Sequence, residues 1–252
     1  MIRVAAQECR DLWIAGRGPV LVFGFSVLLS AMTYLAATNR AMNFLEQREA
    51  VNLTVQVGLA VGVLLTVVVS ADAISGERER GTFEGLLLTP VPRRGIVVGK
   101  LVAASTMWVA CLLVTLPYVW VLGRGVAGAG QAALLLFTVG TLVAVGLSGI
   151  ALVVSGITNS VKTSLASGLL LLLVLFAPTQ LPALPRTGVG DAITRINPIG
   201  SALHYIAQIL VNRRGWTHDL SYLASPVATV VVAVGILIVA GPRLVRLTAG
   251  SR

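Results

Sequence analysis

The chain has 252 residues, of which 56% are hydrophobic and only 12% charged, and it carries a formal net charge of +9. A soluble domain devotes about a quarter of its residues to Asp, Glu, Lys and Arg; the shortfall here and a mean hydropathy of +0.89 argue against a single soluble core and for lipid as the solvent. The positive excess would suggest nucleic acid in a soluble protein, but these basic residues flank apolar runs, so they point to membrane orientation and headgroup contact and to no nucleic-acid partner.

Residues 1–18 are expected to form an interfacial helix. Ile2, Ala5, Ala6, Cys9, Leu12 and Trp13 recur with helical spacing on one face, and Arg3, Gln7, Arg10 and Arg17 lie away from it. Such a helix can rest in the cytoplasmic interface, dock against a helical bundle, or do both. Cys9 and Cys111 stand far apart and match neither a disulfide framework nor a metal spacing.

A hydrocarbon core of about 30 Å takes about 20 helical residues to cross. Six stretches meet this: Pro19–Ala37, Val51–Ala71 (continued to residue 74), Leu101–Leu122, Gln131–Ile157, Leu165–Pro182 and Leu220–Ala240. The first follows Glu8 and Asp11 and reads as a retained span rather than a cleaved signal. Pro226 is tolerable if the sixth helix begins near Ser225. The expected fold is therefore one all-α transmembrane domain over residues 1–252. Six spans put both termini on one side. That side collects twelve of the 19 Lys and Arg residues, so both termini and the loop between spans two and three are expected to be cytoplasmic.

The cytoplasmic segment 75–100 is the most informative. Span two runs into Gly76-Glu77-Arg78-Glu79-Arg80, which is too polar for lipid, and Gly81 suits a helix break. Thr82 can cap a new short helix, Glu84 falls in its first turn, and Phe83, Leu86 and Leu87 give it an apolar face. Thr89-Pro90-Val91-Pro92 ends it. Such a helix could dock in a groove of a soluble partner; a solvated loop with orienting arginines is the alternative.

The outer segment 183–219 contains a second amphipathic helix. Asn197 is a good N-cap and Pro198 suits the first position; Ile199, Ala202, Leu203, Ile206, Ile209 and Leu210 share a face, and Gly215 suits the stop. This helix is expected to lie shallow in the outer leaflet. Within the spans, Thr54, Gln56, Thr66, Ser167, Thr179 and Gln180 could line a substrate path or serve as packing hydrogen bonders. Gly58 and Gly62 have the spacing for close helix approach, within the chain or between two chains.

The run Gly-Glu-Arg-Glu-Arg-Gly-Thr-Phe-Glu, followed by Leu-Leu-Leu-Thr-Pro-Val, Arg-Arg and Gly-Lys, resembles the segment after the second span in ABC type-2 permeases, the membrane subunits of bacterial ATP-driven exporters. Asn197-Pro198, His204-Tyr205 and Arg213 resemble the helix before the last span of that family, and the six-span plan matches throughout. The resemblance implies a gate end at Glu77–Arg80, with Gly76 and Gly81 around it. It also implies a coupling helix over Thr82–Thr89, including Phe83, Glu84 and Leu87 and closed by Pro90. Further implications are a partner ATPase in two copies carrying the ATP and Mg, a second permease copy or a homologous permease, and the bacterial inner membrane. No cofactor is expected in this chain, nor any catalytic or metal-binding residue. Gly95 to Lys100 only superficially echoes a phosphate loop, since one residue is missing and Leu101 stands for Ser or Thr.

Three rival classes remain. An ion-coupled carrier usually places ionisable side chains within the spans, and these apolar cores have none. An intramembrane enzyme lacks its residues, because His204 and His218 have no third ligand at recognised spacing. A non-transporting assembly subunit is poorly separated by sequence. The reading is a permease that moves a lipophilic or amphipathic substrate outward.

Overall fold

The structure is a computed structural model that describes residues 2–14, 17–38, 44–81, 92–124, 128–180 and 188–244. Among these there is no strand. Six helices are long and apolar enough to cross a membrane: Arg17–Leu35, Arg48–Glu79, Arg93–Leu122, Ala129–Ile157, Val161–Gln180 and Leu220–Gly241. The protein is an all-helical, multi-pass membrane protein.

In chain order, α1 (Ile2–Ile14) precedes α2 (Arg17–Thr38), α3 (Phe44–Glu79) and α4 (Arg93–Leu122). The fourth span is built from α5 (Ala129–Leu135), a π-helical segment (Leu136–Gly140) and α6 (Thr141–Ile157). Then come α7 (Val161–Gln180), α8 (Gly188–Ile196), α9 (Pro198–Leu210), a 3-10 turn (Leu220–Leu223) and α10 (Ala224–Leu244). Pro226 thus falls in the first turn of α10, where its missing N–H costs nothing.

The spans form two shells. The most apolar windows of α3, α4 and the fourth span are 50–56% buried, against 17% for α2, α7 and α10. Helix α3 is the hub, packed on α4, α6 and α7, while α10 packs on α6 and α2 on α4. Gly58 and Gly62 explain the closeness of α3 and α4. A Cβ at Gly58 would lie 2.6 Å from Thr115 Cγ2, and one at Gly62 would lie 2.9 Å from the Trp108 ring. Their close approach is therefore made within the chain. Helix α1 lies along α4, and Trp13 Nε1 donates to Thr106 Oγ1 at 3.1 Å.

Val97 of α4 packs against Gly241 of α10. The end of α3, the start of α4, the end of α10 and the bend between α6 and α7 consequently lie at one end of the bundle. This is the basic end; α8 and α9 lie at the other.

Helix α3 carries through its charged run to Glu79, 36 residues in all, and breaks at Gly81 as the sequence suggests. Three features differ from the sequence expectation. Helix α4 begins at Arg93, ahead of the span start expected at Leu101. The π-helical segment was not foreseen; it places Gly140 against the Trp108 ring and Thr141 Oγ1 at 3.0 Å from Trp108 Nε1. Helix α9 starts as expected, with Asn197 Oδ1 accepting from Ile199 N and Gly200 N. Its apolar face, however, is buried in the main core with Val55, Leu59 and Leu136 instead of lying in the outer leaflet. It ends at Leu210, and the residue that takes positive φ beyond it is Arg213, not Gly215.

Candidate functional site

The end of α3 and the residue after it carry four consecutive charges, and each is bonded to a different part of the bundle. Glu77 Oε1 accepts from Lys100 Nζ of α4 at 2.6 Å, and the same ammonium donates to Glu8 Oε1 of α1 at 2.8 Å. Lys100 is 1% exposed, so three helices meet at a charge withdrawn from water. Arg78 reaches the end of α6 and donates to the carbonyls of Thr158 and Gly156 and to Asn159 Oδ1. Glu79 Oε2 accepts the backbone N–H of Val161 at the start of α7, 2.8 Å away. Arg80 donates to Asp72 Oδ2 at 3.2 Å, and that oxygen also accepts from Arg17 Nη1 at the start of α2, 2.7 Å away.

Local backbone chemistry prepares this arrangement. A side chain at Gly76 would collide with the Asp72 carboxylate and crowd Arg80, so glycine lets Arg80 fold back on its own helix. Gly81 then ends the helix with φ at +71°, a conformation that glycine adopts without steric cost. One turn deeper, Ser155 Oγ of α6 accepts from Ile74 N and Ser75 N, and Ser164 Oγ of α7 donates to the carbonyl of Ala71. Hydroxyls bridging helices in this way are the usual polar adhesive of a membrane bundle.

The other sequence candidates fall into three groups. Thr82, Phe83, Glu84, Leu87 and Pro90 lie outside the described residues. Thr54 and Thr66 are buried in α3, with their hydroxyls bonded to the carbonyls of Ala50 and Gly62, and Ser167 likewise bonds Thr163 on α7. Gln56, Thr179 and Gln180 come together at the opposite end, around a cavity of about 750 Å³.

That cavity is bordered by side chains that sequence reasoning did not join. Asp191 of α8 accepts from the Tyr222 hydroxyl and from Arg195 Nε. His204 stacks on the Tyr222 ring with centroids 4.3 Å apart, and the Arg195 guanidinium lies 4.8 Å from the same ring. The Tyr222 hydroxyl, reinforced by Arg195, holds the Asp191 carboxyl below the usual carboxylate range. Burial pushes His204 below its ordinary value and keeps its ring neutral near pH 7, against the pull of Asp219 and Asp191. The cavity offers amides, hydroxyls and a neutral ring, with its one carboxylate already engaged. Among the described residues, no group of three or more His, Cys, Asp or Glu could hold a metal ion.

Glu8, Asp72, Lys100, Ser155 and Ser164 were also missed as contact residues. Only Lys100 carried a local signal, as a lone cation entering an apolar helix.

No curated protein matches the chain. A family model described as an ABC-2 family transporter protein matches residues 10–246, which takes in every span, the charged end of α3 and the cavity at the far end. The chain therefore belongs to the ABC-2 family of transporter proteins, as a multi-pass permease component.

Proposed function

We propose that this permease is the membrane subunit of an exporter that moves a lipophilic or amphipathic substrate outward, using ATP hydrolysed by a separate subunit. Two ATPase copies sit beneath two permeases, identical or homologous, in the bacterial inner membrane, and both termini are cytoplasmic. ATP and Mg²⁺ belong to the ATPase. Residues Thr82–Thr89 seat on it as a coupling helix, and their movement enters the bundle through Gly81 and Glu77–Arg80.

The observation that carries this reading is the bonding of Glu77, Arg78, Glu79 and Arg80 to α4 with α1, to the α6 end, to α7, and through Asp72 to α2. A displacement delivered just beyond Gly81 reaches most of the spans at once. Packed bundles respond to such a load by switching between discrete arrangements rather than by bending. The apolar spans favour a lipophilic cargo, and the polar far-end cavity would receive its polar end.

The test is co-expression with the genomically adjacent candidate ATPase, purification through a tag on the permease, and measurement of cargo-stimulated ATPase activity. The intact pair is expected to co-purify, and Glu84→Arg to strip the ATPase or uncouple it. Arg78→Ala should leave the ATPase bound while stimulation falls by at least ~5-fold, the lower end of ordinary coupling energies. An intact permease that binds no ATPase would defeat the reading in favour of a carrier or scaffold.

A further inference from the structure

A groove of about 480 Å³ opens at the basic end between α1–α2, α3 and α7. Three cations from three elements meet there: Arg17 at the start of α2, Arg80 just past α3, and Lys162 at the start of α7. Leu21, Val68 and Leu165 give the same groove an apolar wall. Two carboxylates face these cations. Asp72 is shared between Arg17 and Arg80, and Glu79 is turned to the Val161 N–H. Lys162 pairs with no carboxylate among the described residues. Three cations against two carboxylates leave one positive charge in excess.

We propose that this groove holds an acidic phospholipid drawn from the adjoining leaflet. Its phosphate lies among Arg17, Arg80 and Lys162, and an acyl chain runs along Leu21, Val68 and Leu165. The position suits a lipid better than a soluble anion. Arg17 and Lys162 each begin a membrane span, so the cationic rim stands at headgroup depth. The flanking helices α2 and α7 belong to the outer shell, so the groove lies at the periphery of the bundle. Apolar and cationic walls in one groove match the two halves of an amphiphile, and the excess charge selects an acidic headgroup over a zwitterionic one. The phosphate also competes with Asp72 for two guanidiniums, so lipid occupancy changes the load on the end of α3. The site depends only on the chain being in a membrane and goes beyond the export reading.

Native mass spectrometry of the delipidated full-length chain, without the ATPase, tests this directly. The probes are phosphatidylglycerol, phosphatidylcholine and glycerol 3-phosphate. Phosphatidylglycerol should bind preferentially, and Arg17→Gln and Lys162→Gln should each weaken it by ~5-fold, the effect of about one cation at a membrane surface. Asp72→Asn, which frees both guanidiniums, should tighten it several-fold, a gain that mere loss of structure cannot produce. Arg94→Gln, at the same end but outside the groove, should change nothing. The proposal is overturned by equal retention of phosphatidylcholine, or by wild-type affinity in both Gln variants. Displacement by glycerol 3-phosphate would make it a site for free phosphate. Lipid binding only to monomer, with a dimer that excludes it, would make the groove an interface with a second copy.

Discussion

The two ends of the bundle are held together by contacts of different reach. At the basic end, α1, α2, α3, α4, α6 and α7 are joined by formal charges, several of them shared: Lys100 between two glutamates and Asp72 between two arginines. At the far end the ion pairs are local, Asp191 with Arg195 and Arg214 with Asp219, and the elements are joined through the Asn197 side chain, the stack of His204 on Tyr222 and the Tyr222 hydroxyl on Asp191. Shared ion pairs fix direction and couple several elements, because moving one partner leaves the others exposed to the loss. Neutral caps and stacks act locally. The difference is one of reach: a contact at the basic end ties several elements together, and a contact at the far end acts on its neighbours.

The comparison breaks most visibly at Lys100. Lys100→Met leaves Glu8 and Glu77 facing one another with no cation between them, and removing one member of a withdrawn ion cluster costs about 3–5 kcal/mol. Thermal unfolding in detergent should register a loss of that order, and Glu8→Gln with Glu77→Gln in the same background should restore much of it. A smaller effect is expected at the far end. Asn197→Ala removes two cap bonds and the 2.6 Å bond from Nδ2 to the Leu175 carbonyl, for about 2 kcal/mol in total. Hydrogen exchange should quicken in α9 and leave the end of α3 unchanged; exchange rising equally at both ends would dissolve the distinction.

The smallest effect sharpens the contrast through pH. His204 titrates below its ordinary 6.5 when folded, so in the window below 6.5 the unfolded chain binds the extra proton and the folded chain does not. Stability therefore rises with pH across that window and is lost as pH falls through the folded value. Acidification from pH 7 to 5 should loosen α9 and the cavity it lines, and His204→Gln should flatten that dependence.

The spans and the start of α9 were legible in the sequence because hydropathy, capping residues and proline act locally. The partners of Glu77 to Arg80 were not. The run itself stood out as too polar for lipid, but Glu8 and Asn159 are far away in sequence, and only the packed bundle brings them near. The burial of α9 escaped for a related reason: an apolar helical face looks the same whether lipid or protein covers it. The π-helical segment packs against Trp108 from another helix, a contact that no local pattern encodes. Thr54 and Thr66 show the converse, since their hydroxyls are bonded within their own helix and sequence could not tell that use from a lining role.

One consequence of the Arg78 and Glu79 contacts concerns word order rather than composition. The end of α6 presents carbonyl oxygens, the negative pole of a helix, and receives an arginine; the start of α7 presents an N–H, the positive pole, and receives a glutamate. The alternation of sign along the chain thus mirrors the alternation of helix direction across a bend of three residues, Thr158 to Ser160. Exchanging the two residues would preserve charge, hydropathy and the number of cations at the basic end, so the charge bias that orients a multi-pass chain would survive intact. Yet each pole would then face its own sign, and a chain inserted with the correct topology would carry two repulsive contacts at this bend.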